Sequence, residues 1–313
     1  MVSERGDAGE WQTAPPTPPD ELCAKVARWA EDLLAGTTPT TTSWLAVEQP
    51  GPWGRDAATL SRLDPVLGAH LAAAAQDRGM RLLLIRRPSQ RGFDEPGGRR
   101  VLMAHTRPGS AWLESIRIED DSELRHLDLD GLAAGRPSGH GHRTDPVALV
   151  CTNAKRDRCC AVFGRALLRD LSDSRTAEVW ECSHLGGHRF APTALVLPHG
   201  YMYGWLTPDL LDDALAAAAA HRLDLRRLRG RSTWTAAGQV AELAIRQGTG
   251  DHDPNSLVVV ELPDRSVLVS HRDRQRWIVK VAPKTGGRRR PKSCGQLPDV
   301  VSGLVVERIL RIA

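Results

Sequence analysis

The side chains best suited to chemistry in this chain are thiols and imidazoles gathered in one stretch: Cys151, Cys159, Cys160, His184 and His188. Thiolates suit soft and borderline metals such as zinc and iron, and neutral imidazole suits both. Cys151 and Cys160 are spaced C-x8-C, and His184 and His188 follow as H-x3-H. That pattern points to a metal centre with two sulfur and two nitrogen donors. On spacing alone, zinc and an iron–sulfur cluster are equal candidates. A metal-free module, with these residues as core and capping groups, is the third reading. Neighbours on a helix diverge by about 100°, so only one of Cys159 and Cys160 can face a shared site. Cys182, two residues before His184, points the same way on a strand and is a rival ligand.

Strands and helix ends must hold these groups. DPVALVC reads as a strand ending on Cys151, and DRCCAVFGRALLRDLSD as a helix entered around the cysteine pair. A helix N-terminus lowers a thiol's pKa, so the Cys160 thiolate is expected to be favoured. AEVWEC is a strand leading into SHLGGHRF, where Gly186 and Gly187 permit a tight loop with exposed amides. TALVLP and YMYGWL read as a hairpin turning at His199–Gly200. Thr207–Pro208 opens a helix with Asp209 in its first turn and His221 and Arg222 in its last.

Upstream, SWLAVEQP is a strand, Asp64–Pro65 caps a helix running to Arg78 with Gly79 as its stop, and MRLLLIRR, RRVLMAHT and WLESIRIE are strands. Residues 131–145, GLAAGRPSGHGHRTD, read as a linker or loop, with His140 and His142 on it. Downstream come a helix (TAAGQVAELAIRQ), strands (SLVVVEL, VLVSHR, RWIVKVA), a basic loop (KTGGRRRPK) and a last apolar helix or strand.

The expected class is therefore α/β (α+β). The units are a flexible N-terminal tail over 1–38, with room for a short helix around Glu21–Leu34, an α/β unit over 39–135, a second unit over 136–228 and a C-terminal α/β segment over 229–313. The second unit repeats the element order of the first, as two versions of one fold would.

Composition excludes several classes. Forty-two basic against 38 acidic side chains leave a net charge of +4, which does not describe a nucleic-acid binder. No apolar run approaches the roughly 20 residues of a membrane span. The opening MVSERGDAGEWQTAPPTPPDE has no apolar h-region. A cytoplasmic protein is expected, in which six cysteines are free thiols or ligands rather than a disulfide framework. The C-x-x-C redox signature is absent, and a vicinal Cys159–Cys160 disulfide would be strained. GxGxxG and P-loop sequences are also absent. Cys23 and Cys294 read as incidental. Arg222, Arg226, Arg227, Arg229 and Arg231, and Arg288, Arg289, Arg290 and Lys292, read as solvated faces or as docking patches for an acidic redox partner.

The run CTNAKRDRCCAVFG (151–164) followed by WECSHLGGHRFAPTALVLPHGYMYG (180–204) resembles the sucrase/ferredoxin-like family. WLAVEQPGPWG (44–54) resembles that family's N-terminal segment. The resemblance implies a thioredoxin-like fold carrying a 2Fe–2S cluster, in the branch where histidines replace the second cysteine pair. Carried over residue by residue, the ligands are Cys151 with Cys160 and His184 with His188. It implies a ferredoxin-like one-electron carrier working with a redox partner protein. By analogy with Rieske centres, the histidine-bound iron would be the reducing site, with proton uptake at imidazole N–H. Sucrase activity finds no support, because no segment nominates the paired carboxylates of a glycosidase.

Overall fold

The computed structural model describes residues 21–88, 98–143, 145–171, 178–284 and 289–312. The first part of the chain forms α1 (Cys23–Trp29), β1 (Ser43–Glu48), α2 (Pro65–Asp77), β2 (Arg81–Arg86), β3 (Arg99–His105), β4 (Trp112–Ile118), α3 (Leu129–Ala133) and β5 (His142–Arg143). The second forms β6 (Val147–Cys151), α4 (Arg158–Arg169), β7 (Glu178–Cys182), β8 (Ala194–Leu197), β9 (Tyr201–Tyr203), α5 (Pro208–Ala219) and β10 (Leu228–Arg231). The third forms α6 (Ala236–Thr249), β11 (Leu257–Glu261), β12 (Val267–His271), β13 (Arg276–Pro283) and β14 (Leu304–Arg311).

Among the described residues, ten strands make one mixed sheet, in the order β10-β9-β8-β6-β7-β2-β1-β3-β4-β5. The two halves have the same wiring. β1 runs parallel to β2 and antiparallel to β3, which runs antiparallel to β4. β6 runs parallel to β7 and antiparallel to β8, which runs antiparallel to β9. In each half a helix, α2 or α4, makes the crossover that a parallel pair requires. The halves join where β2 and β7 pair antiparallel, Ile85 opposite Cys182 and Arg86 opposite Glu181.

Alternation along the strands sorts the core. Trp44, Ala46, Leu83, Ile85 and Leu102 share one buried cluster with Val147, Leu149, Cys151, Trp180, Cys182 and Leu195. One face of the sheet is thus a single core spanning both halves. The intervening residues divide. Leu45, Val47, Leu84 and Met103 pack with Leu67 and Leu71 of α2, and Ala148, Val150 and Val196 with Leu211 and Leu215 of α5. Each Val, Leu or Met side chain among these, fully buried, contributes about 1.5–3 kcal/mol of transfer free energy. β11–β14 form a separate four-stranded antiparallel sheet, covered by Ala241 and Ile245 of α6.

Local signals are met at several ends. Asp64 accepts the Leu67 amide, Pro65 begins α2, and Gly79 follows its end at φ 66°. Elsewhere tertiary packing changes the boundaries. α5 ends at Ala219, and His221, at φ 51°, lies beyond it rather than in its last turn. The 131–145 stretch includes the end of α3 and the short strand β5. Within the segment read as a tail, residues 1–20 lie outside the described residues, while α1 buries Cys23, Ala24, Val26 and Ala27. The final apolar segment is strand β14.

Candidate metal centre

Cys151 is the last residue of β6, and Cys160 lies in the first turn of α4. Gly164, one turn further along α4, makes their meeting possible. A Cβ there would stand 2.3 Å from the Cys151 carbonyl oxygen, so only glycine lets the helix lie this close to the strand end. Asp157 caps α4, its Oδ1 accepting the Cys159 amide at 2.9 Å.

β7 delivers the chain into the loop carrying both histidines. Gly187 occupies the left-handed region at φ 73°, and a Cβ on it would meet the Arg229 guanidinium at 2.3 Å. Arg229 is fully buried. Its Nη1 donates to the Gly186 carbonyl at 3.0 Å and its Nε to Thr37 Oγ1 at 3.0 Å. Burial lowers its guanidinium pKa to about 9, against the pull of the Cys151 and Cys160 sulfurs. A side chain read from sequence as part of a basic surface run is therefore an internal clamp on the histidine loop. Arg231 is buried as well, donating to the Thr106 carbonyl at 2.8 Å. Arg226 does lie on the surface, ion-paired to Asp213 and Asp224.

Three of the four expected ligands converge. His184 Nδ1 is 3.7 Å from Cys151 Sγ and 3.8 Å from Cys160 Sγ, and the three donor atoms lie within 4.8 Å of one another. His188 stands beside them, its ring centroid 5.4 Å from that of His184. His188 Nε2 is 2.8 Å from the Lys292 carbonyl oxygen and 2.7 Å from Ser293 Oγ. Donation to that carbonyl places the ring proton on Nε2 and leaves Nδ1 with a lone pair. His188 Nδ1 is buried and has no hydrogen-bond partner. A buried acceptor left unmatched beside a second imidazole and the thiol centre fits the role of a metal-ligating nitrogen.

Charge is distributed unevenly over the thiols. Cys160, with the His184 imidazole and the Leu185 amide, holds Cys151 well below the usual thiol range despite burial. The Cys160 thiol goes the other way, raised by its hydrogen bond to Cys151 and by burial. The hydrogen bond the two sulfurs share is thus the first cause of both shifts, favouring the thiolate at Cys151 and the thiol at Cys160. Burial lowers the His188 pKa, keeping it neutral and able to coordinate.

The rival ligands go elsewhere. Cys182 is opposite Cys151 in the strand register, but its thiol is raised well above its ordinary range by burial and belongs to the shared core. Cys159 points away from the centre, 3.5 Å from Cys23 Sγ and 3.3 Å from Cys294 Sγ. Those two cysteines, read from sequence as incidental, meet across most of the chain length. Local spacing carries no sign of that. His140 and His142 are exposed, His142 at the start of β5.

Fold and side chains together define a mixed α/β protein with Cys/His groupings able to hold a metal ion. Residues 34–223 match the family model described as sucrase/ferredoxin-like, which spans more than half of the chain, and the chain belongs to that family. Comparison with curated proteins and with solved structures gave no match. No helix among the described residues is long and apolar enough to cross a membrane.

Proposed function

We propose that this protein is a ferredoxin-like one-electron carrier with a 2Fe–2S cluster held by Cys151, Cys160, His184 and His188. The carrying observation is the sorting of donors into a thiol pair and an imidazole pair, with His188 Nδ1 buried and unmatched. When bound, such a cluster supplies a one-electron couple through its iron valence. The residues around it do the rest. The Leu185 amide donates to Cys151, Arg229 sets a buried positive charge beside the sulfurs, and the Lys292 carbonyl orients His188. His184 lines a groove with Arg55, Arg81 and Arg156. That groove suits docking of an acidic redox partner close to the imidazole ligands. The strand order 2-1-3-4 in each half, with the third strand antiparallel, supports a thioredoxin-like reading of both units. Six free cysteines among the described residues support a reducing, cytoplasmic setting.

A second reading is a Cys2His2 zinc site. It is favoured by the 3.7 and 3.8 Å thiol–imidazole separations, close to the roughly 3.6 Å edge of a tetrahedral zinc site. Spectra separate the two. Anaerobically purified protein should be brown, contain roughly two iron and two sulfide per chain, and bleach with dithionite. Colourless protein with zinc in this centre would refute the iron–sulfur reading. A reduction potential that stays flat between about pH 6 and 10 would refute proton coupling at the imidazoles.

A further inference from the structure

We propose that Cys23, Cys159, Cys294 and Asp157 form a second metal site, a structural zinc site distinct from the Cys151 centre. The three sulfurs make a nearly equilateral triangle: 3.5 Å from Cys23 to Cys159, 3.3 Å from Cys159 to Cys294, and 3.7 Å from Cys294 to Cys23. A tetrahedral zinc ion with bonds of about 2.3 Å holds its sulfurs about 3.8 Å apart. Each thiol faces the other two at similar distance, so no pair is singled out as a disulfide would require. The fourth corner is Asp157, with Oδ1 3.9 Å from Cys23 Sγ and all four donor atoms within 4.8 Å of one another.

The surroundings are built for charged ligands. The Ala24 amide donates to Cys159 Sγ at 3.4 Å, as outer amides do for metal-bound thiolates. Asp157 is fixed by the Cys159 amide on Oδ1 and the Cys294 amide, 3.0 Å away, on Oδ2, and each carboxylate oxygen keeps lone-pair capacity. Cys23, Cys159 and Asp157 are buried and Cys294 is half-buried. With all four donors supplied by the chain and no position left for water, the site is of the closed, structural kind. Soft thiolates in excess select zinc over harder ions. The ion would tie together α1, the start of α4 and the C-terminal loop, whose cysteines are separated by 136 and 135 residues.

The test is elemental analysis of full-length protein purified anaerobically and treated with EDTA to strip loosely held metal. Wild type should keep about one zinc per chain in addition to any metal at the Cys151 centre. Cys294→Ser, in a half-buried loop, should lower that zinc to less than about a tenth while visible iron absorption persists. Cys160→Ser should do the converse, so loss of either site is read separately. Zinc absent from wild type would overturn the proposal. So would zinc retained in both Cys23→Ser and Cys294→Ser, or a disulfide among these three cysteines in non-reducing mass spectrometry. If those variants do not fold, cobalt-substituted Cys160→Ser protein, in which the other centre is disabled, decides: thiolate-to-cobalt charge-transfer bands of the strength of three thiolates support the site, and their absence overturns it.

Discussion

Cys159 and Cys160 are neighbours in the chain with opposite surroundings. Cys160 Sγ lies 3.8 Å from His184 Nδ1, while Cys159 Sγ lies 3.3 Å from Cys294 Sγ on the other side of α4. The helical rotation between adjacent residues directs two identical side chains into two separate groups of donors. Cys160→Ser should therefore abolish visible absorption from the Cys151 centre, and Cys159→Ser should keep it. Iron content and absorption of the two variants check this, and equal loss in both would contradict the division.

The clamp on the histidine loop gives a second expectation. Arg229 reaches the Gly186 carbonyl, and Thr37 orients its guanidinium. Arg229→Lys keeps a charge but cannot reproduce the planar fork. It should weaken metal retention about 10–100-fold, as loss of an outer-shell partner does. Chelator competition against wild type measures the change.

The seam between the halves is polar as well as hydrogen-bonded. Arg86 Nε donates to Glu181 Oε2 at 3.0 Å, Thr152 Oγ1 donates to the same oxygen at 2.7 Å, and Arg86 Nη1 donates to the Gly51 carbonyl at 2.8 Å. Both ionic groups are about 5 % exposed. Arg86→Met leaves a buried carboxylate without its cation and should cost about 3–5 kcal/mol. Arg86→Met combined with Glu181→Leu should recover much of that. Urea denaturation of single and double variants reads both.

His199 sets a pH dependence. Burial lowers its pKa to about 4, and its Nδ1 has no hydrogen-bond partner. An unfolded histidine titrates near 6.5. Above that pH neither state holds the proton and the stability is full. As pH falls from about 6.5 toward 4, only the unfolded chain gains it, and stability declines by up to about 3 kcal/mol. His199→Leu should flatten that decline, measured as the difference in unfolding free energy between pH 7 and pH 4.5 relative to wild type.

Much of this was legible in local pattern. The cap at Asp64–Pro65, the strand before Cys151 and the Gly–Gly loop follow from short-range signals, whereas the choice of Cys160 and His184 to accompany Cys151 came with the family resemblance. What spacing could not supply was the partner of each strand edge and the far end of each long-range contact. Nothing near Arg229 distinguishes it from the exposed Arg226 three residues earlier. Its burial comes from packing against Thr37 and Gly186. Cys23 and Cys294 looked incidental because each is isolated in sequence, and only the folded chain brings them to Cys159. The pairing of β2 with β7 was equally hidden, since both read as ordinary apolar strands.

The loop after β13 has a consequence for the order of synthesis. Lys292 and Ser293 hold His188, Arg290 pairs with Asp32, and Cys294 meets Cys23. These late residues leave the ribosome after both halves of the large sheet. Until they emerge, the nascent chain has its strands and its first cysteines but lacks the contacts that orient His188. The contacts that orient His188 therefore form only after residues 290–294 have been synthesised, well after the histidine loop itself.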